Sequence, residues 1–207
     1  MSQIAIKGAT TGTGVFTLES PATNTNRTLV LPDEAGTVLT SAGVPASAMP
    51  AGSVLQVVST NKTDTFTTTS LSWVDLTGFS VNITPSSSSN KVMILCDLKM
   101  SGTDYRGGCS FRLLRNGTVI NVGDAAGSRI QTTGGWEDLP SAGQYMVYSQ
   151  NAMFLDSPLT TSAVTYKVQV ILNDNFGTLV VNRTGADGDS SAYVRTASNL
   201  TVMEIAG

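Results

Sequence analysis

From residue 53 onward, short runs of alternating apolar and polar residues recur between turn-forming residues, and this pattern most constrains the fold. Residues 79–84 alternate strictly and stop at Pro85, and residues 166–173 alternate in the same way. A period of two residues is typical of a strand with one face buried and one face in water. No segment of helical length shows apolar residues at a 3.6-residue period. The pattern therefore predicts an all-β chain.

Further segments fit the same interpretation. Residues 91–100 are apolar on both faces near their centre, as expected of a strand that is covered on both sides. Asn116-Gly117 stands between two short β-prone runs and predicts a type I′ hairpin. Residues 145–155, 178–182 and 199–205 complete a set of about eight strands. We expect an antiparallel β-sandwich, jelly-roll-like in its strand order.

The composition changes near residue 50. Residues 1–43 hold only short β-prone pieces between Gly, Pro and Asn-Thr turns, and none can build a core alone. Residues 44–52 are rich in Pro, Ala and Gly and are typical of a semi-extended linker. We therefore expect an N-terminal segment at 1–43 that intertwines with neighbouring chains, a linker at 44–52 and a sandwich domain at 53–207.

The segment 21–41, PATNTNRTLVLPDEAGTVLTS, resembles a repeat of bacteriophage tail fibres and related virion proteins. The repeat reads T-N-x-x-x-L-x-L-P-D-x-x-G-T-x-L, and the spacing between Asn26 and Leu29 departs from it by one residue. The matching positions are Thr25, Asn26, Leu29, Leu31, Pro32, Asp33, Gly36, Thr37 and Leu39.

This resemblance implies a homotrimer whose N-terminus attaches to other virion proteins of the tail or baseplate. The candidates for virion attachment and intertwining are then Leu29, Leu31, Pro32, Asp33, Gly36 and Leu39. The resemblance also implies a C-terminal head that binds a glycan or protein of the host cell surface. The expected location is the tail of the virion, after synthesis in the host cytoplasm.

Charge and hydropathy argue against other partners. The formal net charge is −3 and the 12 basic residues are scattered, whereas nucleic-acid binding needs a basic patch. No run approaches the roughly 20 apolar residues of a membrane span, and the N-terminus lacks an apolar signal region. We expect neither nucleic-acid binding nor membrane insertion.

The residues that catalysis commonly needs are scarce. His is absent, and Cys96 and Cys109 are the only cysteines, which we expect to be free thiols because of the reducing compartment. No phosphate-binding glycine motif is present. The acids of 137–138, 174 and 187–189 lie in turn-like sequence, where solvated loop acids are the simplest interpretation. The sequence thus predicts no enzyme, no cofactor and no metal site.

Aromatic residues in glycine-rich loops are the candidates for recognition. Trp136 stands in TTGGWEDLP beside Glu137 and Asp138, and Tyr105 stands in GTDYRGG. Exposed rings among polar neighbours suit contact with sugars or proteins. An equally open alternative is that Trp136 tucks under its own loop or against a neighbouring subunit. Trp73 begins an apolar run and is expected in the core.

The sequence therefore predicts a structural protein of a bacteriophage virion, a short trimeric tail fibre that binds the host through its C-terminal head. One alternative is a capsid decoration or baseplate protein without receptor binding. A polysaccharide depolymerase is a weaker alternative, because the chain is short and lacks a convincing pair of catalytic acids.

Overall fold

A computed structural model describes residues 44–138, 140 and 142–207, together with 11, 13 and 24–26. The chain divides into two units, Met1–Leu39 and Thr40–Gly207, and nearly all of the described residues belong to the second. Most of the expected attachment segment at 1–43 lies outside the described residues. The same holds for the attachment candidates Leu29, Leu31, Pro32, Asp33, Gly36 and Leu39.

Strands and loops make up almost all of the described structure. The strands are β1 (Val54–Lys62), β2 (Phe66–Thr68), β3 (Val74–Ile83), β4 (Lys91–Gly102), β5 (Cys109–Arg115), β6 (Thr118–Ile120), β7 (Gly134–Trp136), β8 (Tyr148–Asp156), β9 (Val164–Leu172), β10 (Leu179–Val181) and β11 (Ser198–Ile205). Two single 3₁₀ turns occur, at Ala46–Ala48 and Gly143–Tyr145. None of the described segments forms a helix with the length and apolarity needed to cross a bilayer.

The strands form two antiparallel sheets. Sheet A has the order β1-β11-β4-β10-β2, and β8 pairs with the other edge of β4. Sheet B has the order β3-β9-β5-β6, and β7 pairs with β5 beside β6. The chain passes repeatedly from one sheet to the other, so that sequence neighbours such as β3 and β4 lie in different layers. The predicted antiparallel β-sandwich is confirmed.

The core lies between the two sheets and is built from alternate residues of the long strands. In β4 the even-numbered residues from Val92 to Met100 are buried, including Ile94 at 0% exposure. Phe79 of β3, Phe111 of β5 and Tyr166 of β9 face them from sheet B. This arrangement follows from the two-residue period of the sequence, because successive side chains of a strand point to opposite faces.

The hairpin between β5 and β6 has the predicted turn. Asn116 has φ 48° and Gly117 has φ 86°, as the two central residues of a type I′ turn require. The Asn116 side chain also accepts a hydrogen bond from the backbone N–H of Thr165 at 2.8 Å. The turn is thereby tied to the start of β9.

The structure changes two expectations about the tryptophans. Trp136 ends the short strand β7, paired with Cys109 of β5, and does not lie in a free loop. Trp73 is half-buried outside the core, where the Arg112 guanidinium lies 4.3 Å from its ring centroid. The environment of each ring was predicted from its neighbours in sequence. The contacts observed for both rings come instead from β5, which is distant in sequence.

Candidate functional site

Three connections meet at one end of the sandwich. Gly102, at the end of β4, pairs with Leu179 at the start of β10. Cys109, at the start of β5, pairs with both Trp136 and Leu172. Residues 103–108, 137–138 and 173–178 therefore emerge side by side, and we call these residues the loop surface.

Glycines permit the close packing of the loop surface. A Cβ atom at Gly107 would collide with the carbonyl oxygen of Phe176, and one at Gly108 would collide with the Glu137 carboxylate. The backbone N–H of Asn173 donates to the carbonyl of Gly108 at 2.8 Å. The run Gly107-Gly108 is thus needed for the 103–108 and 173–178 segments to touch.

An exposed cluster of two rings and a guanidinium lies on this surface. The Arg106 guanidinium carbon is 4.7 Å from the ring centroid of Phe176 and 5.7 Å from that of Tyr105. Phe176 and Tyr105 are each 44% exposed. Large rings usually pack inside a protein, whereas these two rings share one cation at the surface, where another molecule can contact them.

Asp104 fixes the position of Arg106. The Arg106 side chain donates from Nε to Oδ1 at 3.0 Å and from Nη2 to Oδ2 at 2.7 Å. These hydrogen bonds, together with one from the backbone N–H of Arg106, lower the pKa of Asp104 to about 2. The carboxylate is charged at neutral pH, so the ion pair holds the guanidinium beside the rings.

Trp136 lies beneath the loop surface. Its ring is half-buried against the core, with its centroid 5.5 Å from that of Tyr148 in β8. It therefore joins the edge of sheet B to sheet A. Its indole N–H is buried and finds no acceptor among the described residues. Trp136 thus packs against β8, and its role in recognition stays a prediction.

The two predicted acids beside Trp136 are exposed. Glu137 accepts a hydrogen bond from the Asn173 side chain at 3.0 Å, which ties it to the 173–178 segment. Asp138 has φ 40°, a conformation that Asp tolerates better than most residues. A shallow groove of about 430 Å³ runs beside Glu137 and is also lined by Arg129, Ile130 and Thr132.

Sequence reasoning found Tyr105 but missed Arg106 and Phe176. The available signal for Phe176 was a large ring inside the turn-forming run Asn-Asp-Asn-Phe-Gly, the same kind of signal that pointed to Tyr105. No sequence signal indicates that Tyr105 and Phe176 meet, because they are 71 positions apart. The pairing of β4 with β10 brings them together.

The remaining acids offer no metal centre within the described part of the chain. No group of three or more His, Cys, Asp or Glu side chains there comes close enough to hold an ion. Asp187, one of the turn acids, forms ion pairs with Arg195 at 2.5 Å and Arg183 at 3.5 Å. The hydrogen bond from Arg195, and then the positive charges of Arg183 and Arg195, lower the pKa of Asp187.

Comparison with known proteins gives only distant similarity. No protein-family model matches the chain, and no curated protein matches it. A solved structure described as "Structure of infectious bursal disease virus Gt strain" is 13% identical, with a TM-score of 0.41 over 75% of this chain and 43% of that one. "Crystal structure of infectious bursal disease virus VP2 subviral particle" is 14% identical, with a TM-score of 0.31 over 73% and 41%. The chain thus spans less than half of each, and likeness at this level carries no conclusion about family or activity.

Proposed function

We propose that this chain is a structural and adhesive protein of a tailed bacteriophage, a short homotrimeric tail fibre whose sandwich domain binds the host surface. The observation that carries the binding role is the exposed cluster of Tyr105, Arg106 and Phe176 on the loop surface. The ligand class is a glycan or a protein of the host envelope.

The chemistry of the cluster suits recognition. Aromatic rings offer large rigid contact areas to the apolar faces of sugars and to protein side chains. Tyr and Arg are also the residue types that contribute most to binding at protein interfaces. The Asp104–Arg106 ion pair pre-organises the site, which lowers the entropy lost when a ligand binds. The mechanism is recognition without catalysis.

The resemblance of residues 21–41 to a tail-fibre repeat supports the virion assignment. In this proposal residues 1–43 attach the fibre to tail or baseplate proteins, and the sandwich domain projects outward. Three copies of the loop surface on each fibre raise avidity, because each later contact forms at a high effective concentration.

Tyr105→Ala and Phe176→Ala test the binding role. Each should weaken binding of the full-length protein to host bacteria by roughly tenfold or more, since loss of a central aromatic contact costs about 1.4 kcal/mol or more. The melting temperature should stay nearly constant because both rings are exposed. Binding is measured by titrating fluorescently labelled protein onto cells.

Leu159→Ala is the matched control, since Leu159 is 75% exposed. It follows β8, and the last residue of β8 pairs with the start of β4. Leu159 therefore lies at the end of the sandwich away from the loop surface. Unchanged adsorption of both aromatic variants would refute the binding role.

Antibody labelling of the capsid, with an unlabelled tail, would favour a decoration protein. Release of reducing sugar from host envelope material would favour a depolymerase.

A further inference from the structure

The outer face of sheet A presents apolar side chains in register across four strands. Two neighbouring rows of directly paired residues run across β1, β11, β4 and β8. The first row is Val57, Met203, Met93 and Leu155, and the second is Ser59, Thr201, Leu95 and Met153. We call these two rows the outer patch.

Much of the outer patch is in contact with solvent. Met153 is 74% exposed, Val57 is 56% exposed and Leu155 is 42% exposed. Single exposed apolar residues are ordinary on protein surfaces, but a contiguous patch across several strands marks an interaction site. Burial of these side chains against another surface would be favourable.

Strand β8 borders the patch and has an open edge. One side of β8 pairs with β4, and no other described strand pairs with its second side. The nine residues of β8 contain no Pro and no Lys, and Asp156, their one charged residue, is buried. Exposed edge strands normally carry such residues because they discourage association. The exposed positions of the β8 edge therefore carry neither Pro nor a charged side chain.

The charge of this face suits contact with other copies of this chain. Three charged residues of β4 flank the patch: Asp97 and Lys99, which pair with each other at 2.8 Å, and the exposed Lys91 beyond Met93. The next row outward is Asn61, Asn199, Asp97 and Asn151, and the three Asn amides can both donate and accept hydrogen bonds. The two rows of the patch carry no charged side chain, so a strongly charged partner would find little counter-charge here, whereas neighbouring copies around a threefold axis can contact them.

The size of the face is also adequate. Four strands at a spacing of about 4.8 Å and about eight residues at a rise of about 3.4 Å give a face of roughly 500 Å² in projection. A standard protein interface buries about 800 Å² per partner. Side chains make the accessible area of a surface larger than its projected area. The face can therefore supply most of the area that one partner buries in a standard interface.

We infer that the outer patch and the open edge of β8 form the contact between copies of this chain. This inference rests on the proposed homotrimer and names the surface that assembles it. It also accounts for the sparse charge of the chain, since permanent interfaces are depleted of charged residues at their centres.

Two variants of the full-length chain, Met153→Asp and Leu155→Asp, test the inference by light scattering. The wild type should have about three times the chain mass of 21.5 kDa, and the variants should shift toward 21.5 kDa with an unchanged β-type circular dichroism spectrum. Leu159→Asp is the control and should remain trimeric, because Leu159 is as exposed as Met153 but follows the end of β8 and belongs to neither row of the patch. If the variants form trimers that resist dilution as well as the wild type does, the outer patch is not the interface, although the proposed homotrimer is retained.

A second measurement applies even if the charged variants precipitate. Met153→Cys and Leu159→Cys are each treated with a maleimide under native conditions, where the buried native thiols of Cys96 and Cys109 are shielded. Cysteine at position 153 should react at least tenfold more slowly than cysteine at position 159. Equal rates, or a wild type that is a folded monomer, would exclude this interface. Host-cell binding is measured separately on Tyr105→Ala and Phe176→Ala, which should remain trimeric, so that these two variants report on the loop surface and the patch variants report on the interface.

Discussion

At the scale of single residues, Glu204 shows how this sandwich accommodates a buried charge. Glu204 is 1% exposed. Its carboxylate accepts hydrogen bonds from Gln56 at 2.6 Å, Asn90 at 2.6 Å, and the backbone N–H and hydroxyl of Ser86 at 2.6 and 2.8 Å. Burial raises the pKa of Glu204, but the hydrogen bonds from Asn90, Gln56 and Ser86 together hold it below its ordinary value of about 4.5. The residue therefore fastens the loop before β4 to β11.

Glu204→Gln should destabilise the protein by about 1–3 kcal/mol at pH 7, because an amide cannot accept from all of these donors. Since the folded pKa is lowered, the stabilisation by Glu204 is present above about pH 4.5 and is lost as the pH falls through the folded pKa. The variant should therefore lose part of this acid sensitivity. Urea unfolding at several pH values measures both effects, with the exposed Asp124→Asn as control. An identical pH profile in Glu204→Gln and wild type would contradict the assignment.

At the scale of secondary-structure elements, a buried polar cluster joins the two sheets. Asp156 at the end of β8 accepts from Arg115 of β5 at 2.7 and 3.0 Å and from the Tyr166 hydroxyl of β9 at 2.6 Å. The Asp156 side chain is only 6% exposed. Burial, and then the bond to Asp156, raise the pKa of Tyr166, so the phenol remains a donor. The cluster fixes β8 of sheet A against sheet B at the end away from the loop surface.

Asp156→Asn should destabilise the sandwich by about 3 kcal/mol, because it leaves Arg115 without its counter-charge. Tyr166→Phe should cost less, about 1 kcal/mol, since it removes one hydrogen bond. Asp75→Asn is the matched control, because Asp75 also pairs with a base, Lys167, but its side chain is 53% exposed. The control should change stability by less than about 1 kcal/mol. Chemical denaturation measures all three, and equal losses for Asp156→Asn and Asp75→Asn would refute the role of the cluster.

At the scale of the whole molecule, the core between the sheets encloses both thiols. Cys96 is 3% exposed and Cys109 is 0% exposed, and both are free, as expected from the sequence. Burial raises the pKa of each to about 12, and nearby acids add to the effect. The reactive thiolate is therefore nearly absent from the folded protein at neutral pH.

In urea, iodoacetamide at pH 8 should alkylate both cysteines fully. Over the same reaction time it should alkylate neither cysteine of the native protein. Because the folded pKa is raised, the stabilisation linked to these thiols is present below their ordinary pKa of about 9 and is lost as the pH rises toward 12. Mass spectrometry of the alkylated protein gives the number of modified thiols. Rapid alkylation of either cysteine in native buffer would show that the core opens locally.

Local features were predictable from the sequence. The alternation in 79–84 and 166–173 determines which residues face the core, since side-chain direction in a strand depends only on position along the chain. The Asn116-Gly117 hairpin was predictable because both residues favour positive φ. The antiparallel class follows from many short strands with tight turns between them. The exposure of Tyr105 was indicated by its glycine-rich neighbours.

Long-range pairing decided the rest. Trp136 was interpreted as a candidate recognition ring, and its burial depends on Cys109 and Tyr148, which reach it through β5 and β8. The contact of Arg106 with Phe176 depends on β4 pairing with β10. The sequence by itself thus determined the strands and the inward face of each. Only the tertiary structure decided which loops meet and which edge stays open, because contacts between distant segments depend on the order of strands in the sheets.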